Sequence, residues 1–158
     1  MVRSKTFLSY LAGFLDGDGS IYVRLKPNST YKYDFQVAPS VVFFQSLSEK
    51  SKLQILKKRL GFGYLRERKD GIVEYTVGDR KSIRSLMKML NPYLLFKKKQ
   101  AKLIIEILDF SEKISSASDF LELAKLIDEF GKLNYSKKRT VNSRVVHDHL
   151  KSKGLLTP

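Results

Sequence analysis

The chain has 158 residues, 42% of them hydrophobic, which suits a single domain with a real core. Thirty Lys+Arg against 16 Asp+Glu leave a formal charge of +14, an excess that opposes compaction and points to a polyanionic partner, nucleic acid or an anionic surface. No apolar run approaches the ~20 residues of a membrane-spanning helix, MVRSKTF is too polar for a secretion signal, and the absence of cysteine excludes disulfides, a thiol nucleophile and a thiolate zinc site.

In chain order, apolar spacing predicts a helix over 6–17, capped by Ser4 or Thr6. A strand follows over 20–27, with Ile21, Val23 and Leu25 on one face and Tyr22, Arg24 and Lys26 on the other. Pro27-Asn28-Ser29-Thr30 reads as a turn. A second strand is expected over 31–44, with a bulge or an edge at Pro39. Residues 49–60 read as a helix ending at Gly61. Tyr64–Arg68 and Ile72–Val77 read as a hairpin turning at Lys69-Asp70-Gly71. Asp79 caps a helix over 80–90, which stops before Pro92. Helices are then expected over 97–110, over 119–133 with Ser118 as its cap, and, polar and basic, over 140–152.

The order α-ββ-α-ββ-α followed by helices predicts an α+β fold, with four mostly antiparallel strands and helices on one face. We expect a core domain over 1–135, with 136–158 a basic C-terminal helix and tail of the same domain. The other sheet face would carry Arg24, Lys26, Lys32, Gln36, Arg66 and Arg68, the side-chain types with which strands read a DNA groove. A solvated sheet face is also polar, but only Asp34 and Glu67 are acidic there.

Asp16-Gly17-Asp18-Gly19 ends the first helix. Gly13 and Gly17 lie four apart on one helical face, and each interior glycine costs ~1 kcal/mol relative to alanine. A close approach of two such helices would explain them. Asp16 and Asp18 stand at the negative end of the helix dipole, where carboxylates are disfavoured. Two such clusters brought together by paired helices would need a hard divalent cation, which suits phosphodiester hydrolysis. A plain glycine-capped turn is the simpler alternative. A calcium loop starting at Asp16 fails, because Ile21 and Pro27 stand where glycine and glutamate are required.

Leu11-Ala12-Gly13-Phe14-Leu15-Asp16-Gly17-Asp18-Gly19 resembles the signature of the LAGLIDADG homing endonucleases. The resemblance continues through GSIYVRLKPN, GFGYLRER at 61–68 and the 92–102 segment, and is nearest to the single-motif members. It implies that Asp18 is the metal ligand, assisted by the Gly17 carbonyl. Gln45 would orient solvent, and Lys97 would stand near the scissile phosphate. It further implies DNA contacts from Arg24, Lys26, Asn28, Tyr31, Gln36, Arg66 and Arg68, with Lys32 on the same face and Lys99 of the KKKQ run as a phosphate contact. Leu11, Ala12, Gly13, Leu15, Asp16 and Gly17 would form the contact between two copies. Where relatives carry a basic residue four positions after the glutamine, this chain has Glu49, with Lys50 beside it.

A second motif would make one chain self-sufficient. Leu123-Ala124-Lys125-Leu126-Ile127-Asp128-Glu129-Phe130-Gly131 superficially resembles one, but Lys125 replaces the packing glycine and Phe130 the carboxylate. A homodimer is therefore expected. His147-Asp148-His149 suggests metal, but residues two apart on a helix face different ways, so a solvated helix is expected. The reading is a homodimeric endonuclease acting on double-stranded DNA with Mg²⁺. Mn²⁺ would substitute, and Ca²⁺ would bind without efficient cleavage. A strand of ~10 residues spans ~33 Å, about one DNA turn, so two copies would cover a pseudo-palindrome of roughly 20 base pairs. An RNA-binding intron maturase and a cleavage-deficient DNA-binding protein are the alternatives. An intracellular location is expected, organellar in a eukaryote or cytoplasmic in an archaeon.

Overall fold

The first helix, α1 (Lys5–Asp18), begins where Ser4 accepts a hydrogen bond from the Phe7 N–H. It ends at Gly19, whose N–H returns to the Leu15 carbonyl. The computed structural model describes residues 3–135 and 139–157. Along it follow β1 (Gly19–Pro27), β2 (Phe35–Ser46), a 3-10 turn (Leu47–Glu49), α2 (Lys50–Leu60), β3 (Tyr64–Glu67) and β4 (Ile72–Val77). Helices α3 (Arg80–Leu90), α4 (Lys98–Ser111), α5 (Ala117–Asp128), α6 (Phe130–Leu133) and α7 (Ser143–Ser152) complete the chain. The strands form one sheet in the order β1-β2-β4-β3, with β4 antiparallel to both neighbours. The architecture is α+β, as the element order requires.

Two compact units are interleaved along the sequence, 1–21 with 39–101, and 22–38 with 102–158. In the first, Leu11 and Leu15 of α1, Phe43 of β2, Tyr75 of β4 and Ile83, Leu86 and Leu90 of α3 are fully enclosed. The Phe43 and Tyr75 rings stack at 5.8 Å, and the Tyr75 hydroxyl donates to the Phe62 carbonyl at 2.8 Å. Gly63 passes so close to Tyr75 and Thr76 that a Cβ there would lie 2.7 Å from each, and its φ of +80° also favours glycine. In the second unit, Tyr33 and Phe35 close on Phe120 of α5, at ring distances of 5.1 and 6.3 Å. Leu123, Ala124 and Ile127 of α5 and Val146 and Leu150 of α7 are also buried in this unit.

Three expectations shift. The segment 29–34 is turn rather than strand, so Tyr31 and Lys32 sit on a loop and β2 starts at Phe35. The loop is held by Asn28, whose Oδ1 accepts from the Thr30 N–H and hydroxyl, an Asx turn. The cap of α5 is Ser116, not Ser118: Asp119 stands three residues after Ser116 and completes a reciprocal capping box. The helix expected to run on to 133 stops at Asp128, and α6 is a separate short turn.

Candidate active site

The two aspartates that end α1 have different surroundings. The Asp16 carboxylate accepts three backbone N–H groups, from Leu95 at 2.7 Å, Phe96 at 3.3 Å and Lys97 at 2.9 Å. It therefore fixes the turn that leads into α4. The Asp18 carboxylate makes no hydrogen bond or ion pair with any described residue and stands exposed at the helix end. The last turn of α1 carries no basic side chain, so nothing on the helix offsets its negative end.

Lys97 is brought to the same place. Its Nζ donates to the Asp16 carbonyl at 2.6 Å, and its side chain is half-buried. Burial pushes its pKa below the usual lysine value, against the opposing pull of Asp16 and Asp18. Asp18 and Lys97, far apart in sequence, thus form one charged site. Gln45, on the last residues of β2, uses its Oε1 to accept the neighbouring Ser46 N–H at 3.2 Å.

Glu49 and Lys50, which stand where relatives carry a second basic residue, are both engaged in ion pairs. Lys50 forms an ion pair with Glu67, and Glu49 forms one with Lys52. Both pairs are substantially exposed, so each contributes little to stability.

Of the residues expected at the contact between copies, Leu11, Ala12 and Leu15 are 0% exposed within one protomer. They have no surface left for a partner, and that assignment is corrected. Residues two apart on a helix differ by about 200°, so the leucines face inward while Gly13 and Gly17 face outward. A Cβ at either glycine would meet nothing within 4 Å. Asp16 is likewise better described as a turn anchor.

The proposed DNA-reading residues fall in both units. In the second, Arg24 and Lys26 point outward from β1 while Ile21, Val23 and Leu25 are buried, as the alternation requires. The Arg24 guanidinium lies 4.7 Å from the Tyr22 ring centre. Tyr31 and Lys32 are exposed on the 28–34 loop, and Asn28 and Gln36 are partly so. In the first unit, Arg66 and Arg68 are exposed but not free. Arg68 pairs with Asp70 and with Glu74 at 3.4 Å, and Arg66 lies 3.9 Å from Glu74, its cross-strand neighbour. Glu74 is an acidic residue that the strand pattern did not place at this surface. Lys99 is exposed on the first turn of α4.

His147 and His149 do not share a site. His147 bonds its neighbour Asp148, whereas His149 reaches Asp34 at 2.8 Å, so His149 is not simply solvated. Among the described residues no three His, Cys, Asp or Glu side chains lie together, and no helix is long and apolar enough to cross a membrane. A hard cation takes about six oxygen ligands. Asp18 offers such an ion one carboxylate.

The model of the LAGLIDADG endonuclease family matches residues 11–105. DNA endonuclease I-CreI of Chlamydomonas reinhardtii is 35% identical over 159 residues, covering 98% of this chain and 97% of that protein. DNA endonuclease I-CvuI of Chlorella vulgaris is 36% identical, covering 92% and 91%. A crystal structure of I-CvuI with the I-CreI target in 2 mM Mg, its DNA not cleaved, superposes with a TM-score of 0.91 at 34% identity, covering 97% of this chain and 98% of that one. The archaeal intron-encoded I-Vdi141I, complexed with DNA, shares the fold at a TM-score of 0.84 and 21% identity, covering 98% of this chain and all of that one. With the motif closing α1, the family match over residues 11–105 and relatives 35–36% identical across more than nine-tenths of both chains, the chain belongs to the LAGLIDADG endonuclease family.

Proposed function

We propose that this protein is a homing endonuclease that hydrolyses both strands of a long, pseudo-palindromic DNA target as a homodimer, using a divalent cation. The observation that carries this reading is the contrast between the two aspartates: the Asp16 carboxylate accepts three N–H donors, while the Asp18 carboxylate is exposed, has no hydrogen-bond or ion-pair partner among the described residues, and shares its charged surroundings with Lys97.

One protomer offers one such carboxylate, and the outward glycine face of α1 allows a second copy to bring its own. In that assembly Asp18 from each copy, with the Gly17 carbonyl, would hold Mg²⁺. The DNA complexes of one relative, I-CvuI, in 2 mM Mg and in 2 mM Ca support a divalent ion. Such an ion polarises a phosphoryl oxygen and activates water. Lys97 places a positive charge, held by the Asp16 carbonyl, where phosphate charge grows in the transition state. Gln45 offers an amide to orient solvent. The exposed bases of β1 and of the 28–34 loop supply phosphate and base contacts.

Asp18→Asn tests the reading. On a target selected from randomised duplex, the variant should lose Mg²⁺-dependent cleavage and bind DNA as well as the wild type or better, because a charge facing phosphate is gone. Cleavage at the wild-type rate would refute the assignment. A wild type that binds its target but does not cut it would instead favour a cleavage-deficient DNA-binding protein.

A further inference from the structure

The loop 28–34 ends in an unusual residue. Asp34 has a φ of +62°, a left-handed conformation that only Asn, Asp and Gly adopt readily. Its N–H donates to the Tyr31 carbonyl at 2.9 Å, and its carbonyl accepts from Asn28 at 2.7 Å, so it closes the loop from both ends. Its carboxylate points away from the loop, toward α7. One oxygen meets His149 Nε2 at 2.8 Å and lies 3.6 Å from Lys153 Nζ. The His149 ring stands edge-on to Phe35 at 5.2 Å, so the next residue of the strand is held as well. The helix that carries His149 is anchored independently by Val146 and Leu150, both fully buried. Tyr31 and Lys32, three and two residues before Asp34, are the exposed tip of this loop.

We propose that His149 is a positioning residue for DNA recognition: through Asp34, with Lys153, it fixes the 28–34 loop so that Asn28, Tyr31 and Lys32 meet one set of base pairs in each half-site. This rests on the endonuclease reading above. The C-terminal helix, which carries none of the proposed base contacts, thereby sets the specificity of a loop more than 100 residues earlier in the chain.

The geometry separates this role from plain stability. The His149 and Asp34 side chains are 31% and 30% exposed, so losing their bond leaves no deeply buried polar group. Asp34→Gly keeps the left-handed backbone without steric cost and removes only the tie to α7.

The test measures binding of full-length wild type, Tyr31→Ala, His149→Ala, His149→Gln and Asp34→Gly to duplexes randomised one position at a time. We expect His149→Ala and Asp34→Gly to lose about tenfold in discrimination at the positions where Tyr31→Ala loses it, and nowhere else. We expect His149→Gln, whose Nε2 can reach the same carboxylate, to recover much of the loss, and the melting temperatures to stay close to that of the wild type. A wild-type preference at every position for His149→Ala would overturn the proposal. So would an even loss of affinity at all positions with a lower melting temperature, which is the signature of a packing contact. If the wild type itself selects no target, the endonuclease reading fails first, and that outcome differs from both.

Discussion

Asp16→Asn changes one atom type at the most heavily bonded carboxylate of α1. Oδ1 accepts the Lys97 N–H, and Oδ2 accepts those of Leu95 and Phe96. An asparagine keeps one oxygen. Whichever side it serves, its NH₂ faces an N–H on the other, so at least one bond is replaced by two opposed donors. Hydrogen bonds to a charged group are each worth about 1.5–3 kcal/mol. The Leu95 and Phe96 contacts are exposed, so we place the loss near the lower end, about 2 kcal/mol. The Lys97 carbonyl also accepts from Ala101, which makes Lys97 the entry to α4. There a negative carboxylate complements the helix dipole, and an amide does so less. For a chain of this size 2 kcal/mol lowers the melting temperature by roughly 4–8 °C. Loosening the turn also loosens Lys97, and misplacing a charge at a reacting phosphate costs about ten- to a hundredfold in rate. Thermal denaturation and single-turnover cleavage at saturating DNA measure the two effects. Asp18→Asn should instead leave melting unchanged or slightly raised, since it removes a charge at the negative end of α1, while cleavage is lost. If Asp16→Asn melts and cuts like the wild type, the hydrogen bonds to 95–97 do not hold the site.

Gly13→Leu should fold, because a side chain there meets open space within the protomer, yet run as a monomer on size exclusion with light scattering; an unchanged dimer would show that the glycine face is not the contact. Lys99→Ala should weaken binding to cognate and scrambled duplexes alike and flatten the salt dependence by about one unit per subunit. Arg68→Ala should lose cognate preference by less than the ~1–3 kcal/mol of a free bidentate arginine, because Asp70 and Glu74 already compete for it; an even loss on both duplexes would make it a phosphate clamp. Hydrogen bonds from Ser115 and Ser116 hold the Asp119 carboxyl below the usual aspartate range. Its stabilising contribution is therefore complete above the unfolded pKa and disappears as pH falls through the lower folded value. Acid denaturation of Asp119→Asn should accordingly show a shallower loss of stability in that window, and an identical acid limb would refute the capping role.

Much of this could be read from local spacing. Alternation fixed the outward face of β1, and the motif located Asp18. Ser116-x-x-Asp119 is a capping-box spacing visible in the sequence, and it outranks Ser118 as the cap. The assignment of Leu11 and Leu15 to a contact between copies was avoidable as well. A two-residue offset from Gly13 already puts them on the opposite side of α1. The resemblance implies a helix that would meet a partner, but the helix period decides which of its residues could do so.

What local spacing cannot carry is the distinction between chemically identical groups with different distant partners. Asp16 and Asp18 are two residues apart at the same helix end, and only the arrival of the N–H groups of 95–97, about eighty positions later, makes one structural and leaves the other available. The same holds for the arginines of the hairpin. Binary patterning put Arg66 and Arg68 on the wet face correctly, yet Glu74, which pairing registers opposite Arg66, sits between their charges. His149 is the third case, a residue that helix spacing alone assigns to solvent until the left-handed Asp34 turns its carboxylate toward it. Glu74 reaches the arginines from the adjacent strand of the hairpin, but for Asp16 and for His149 the deciding interaction is a charge-assisted hydrogen bond between segments distant in sequence. Such bonds follow from the packed fold rather than from any window of residues. On the reading proposed above, Asp18 is the carboxylate kept for metal and DNA, and the fold leaves it available by directing the N–H groups of 95–97 to its neighbour.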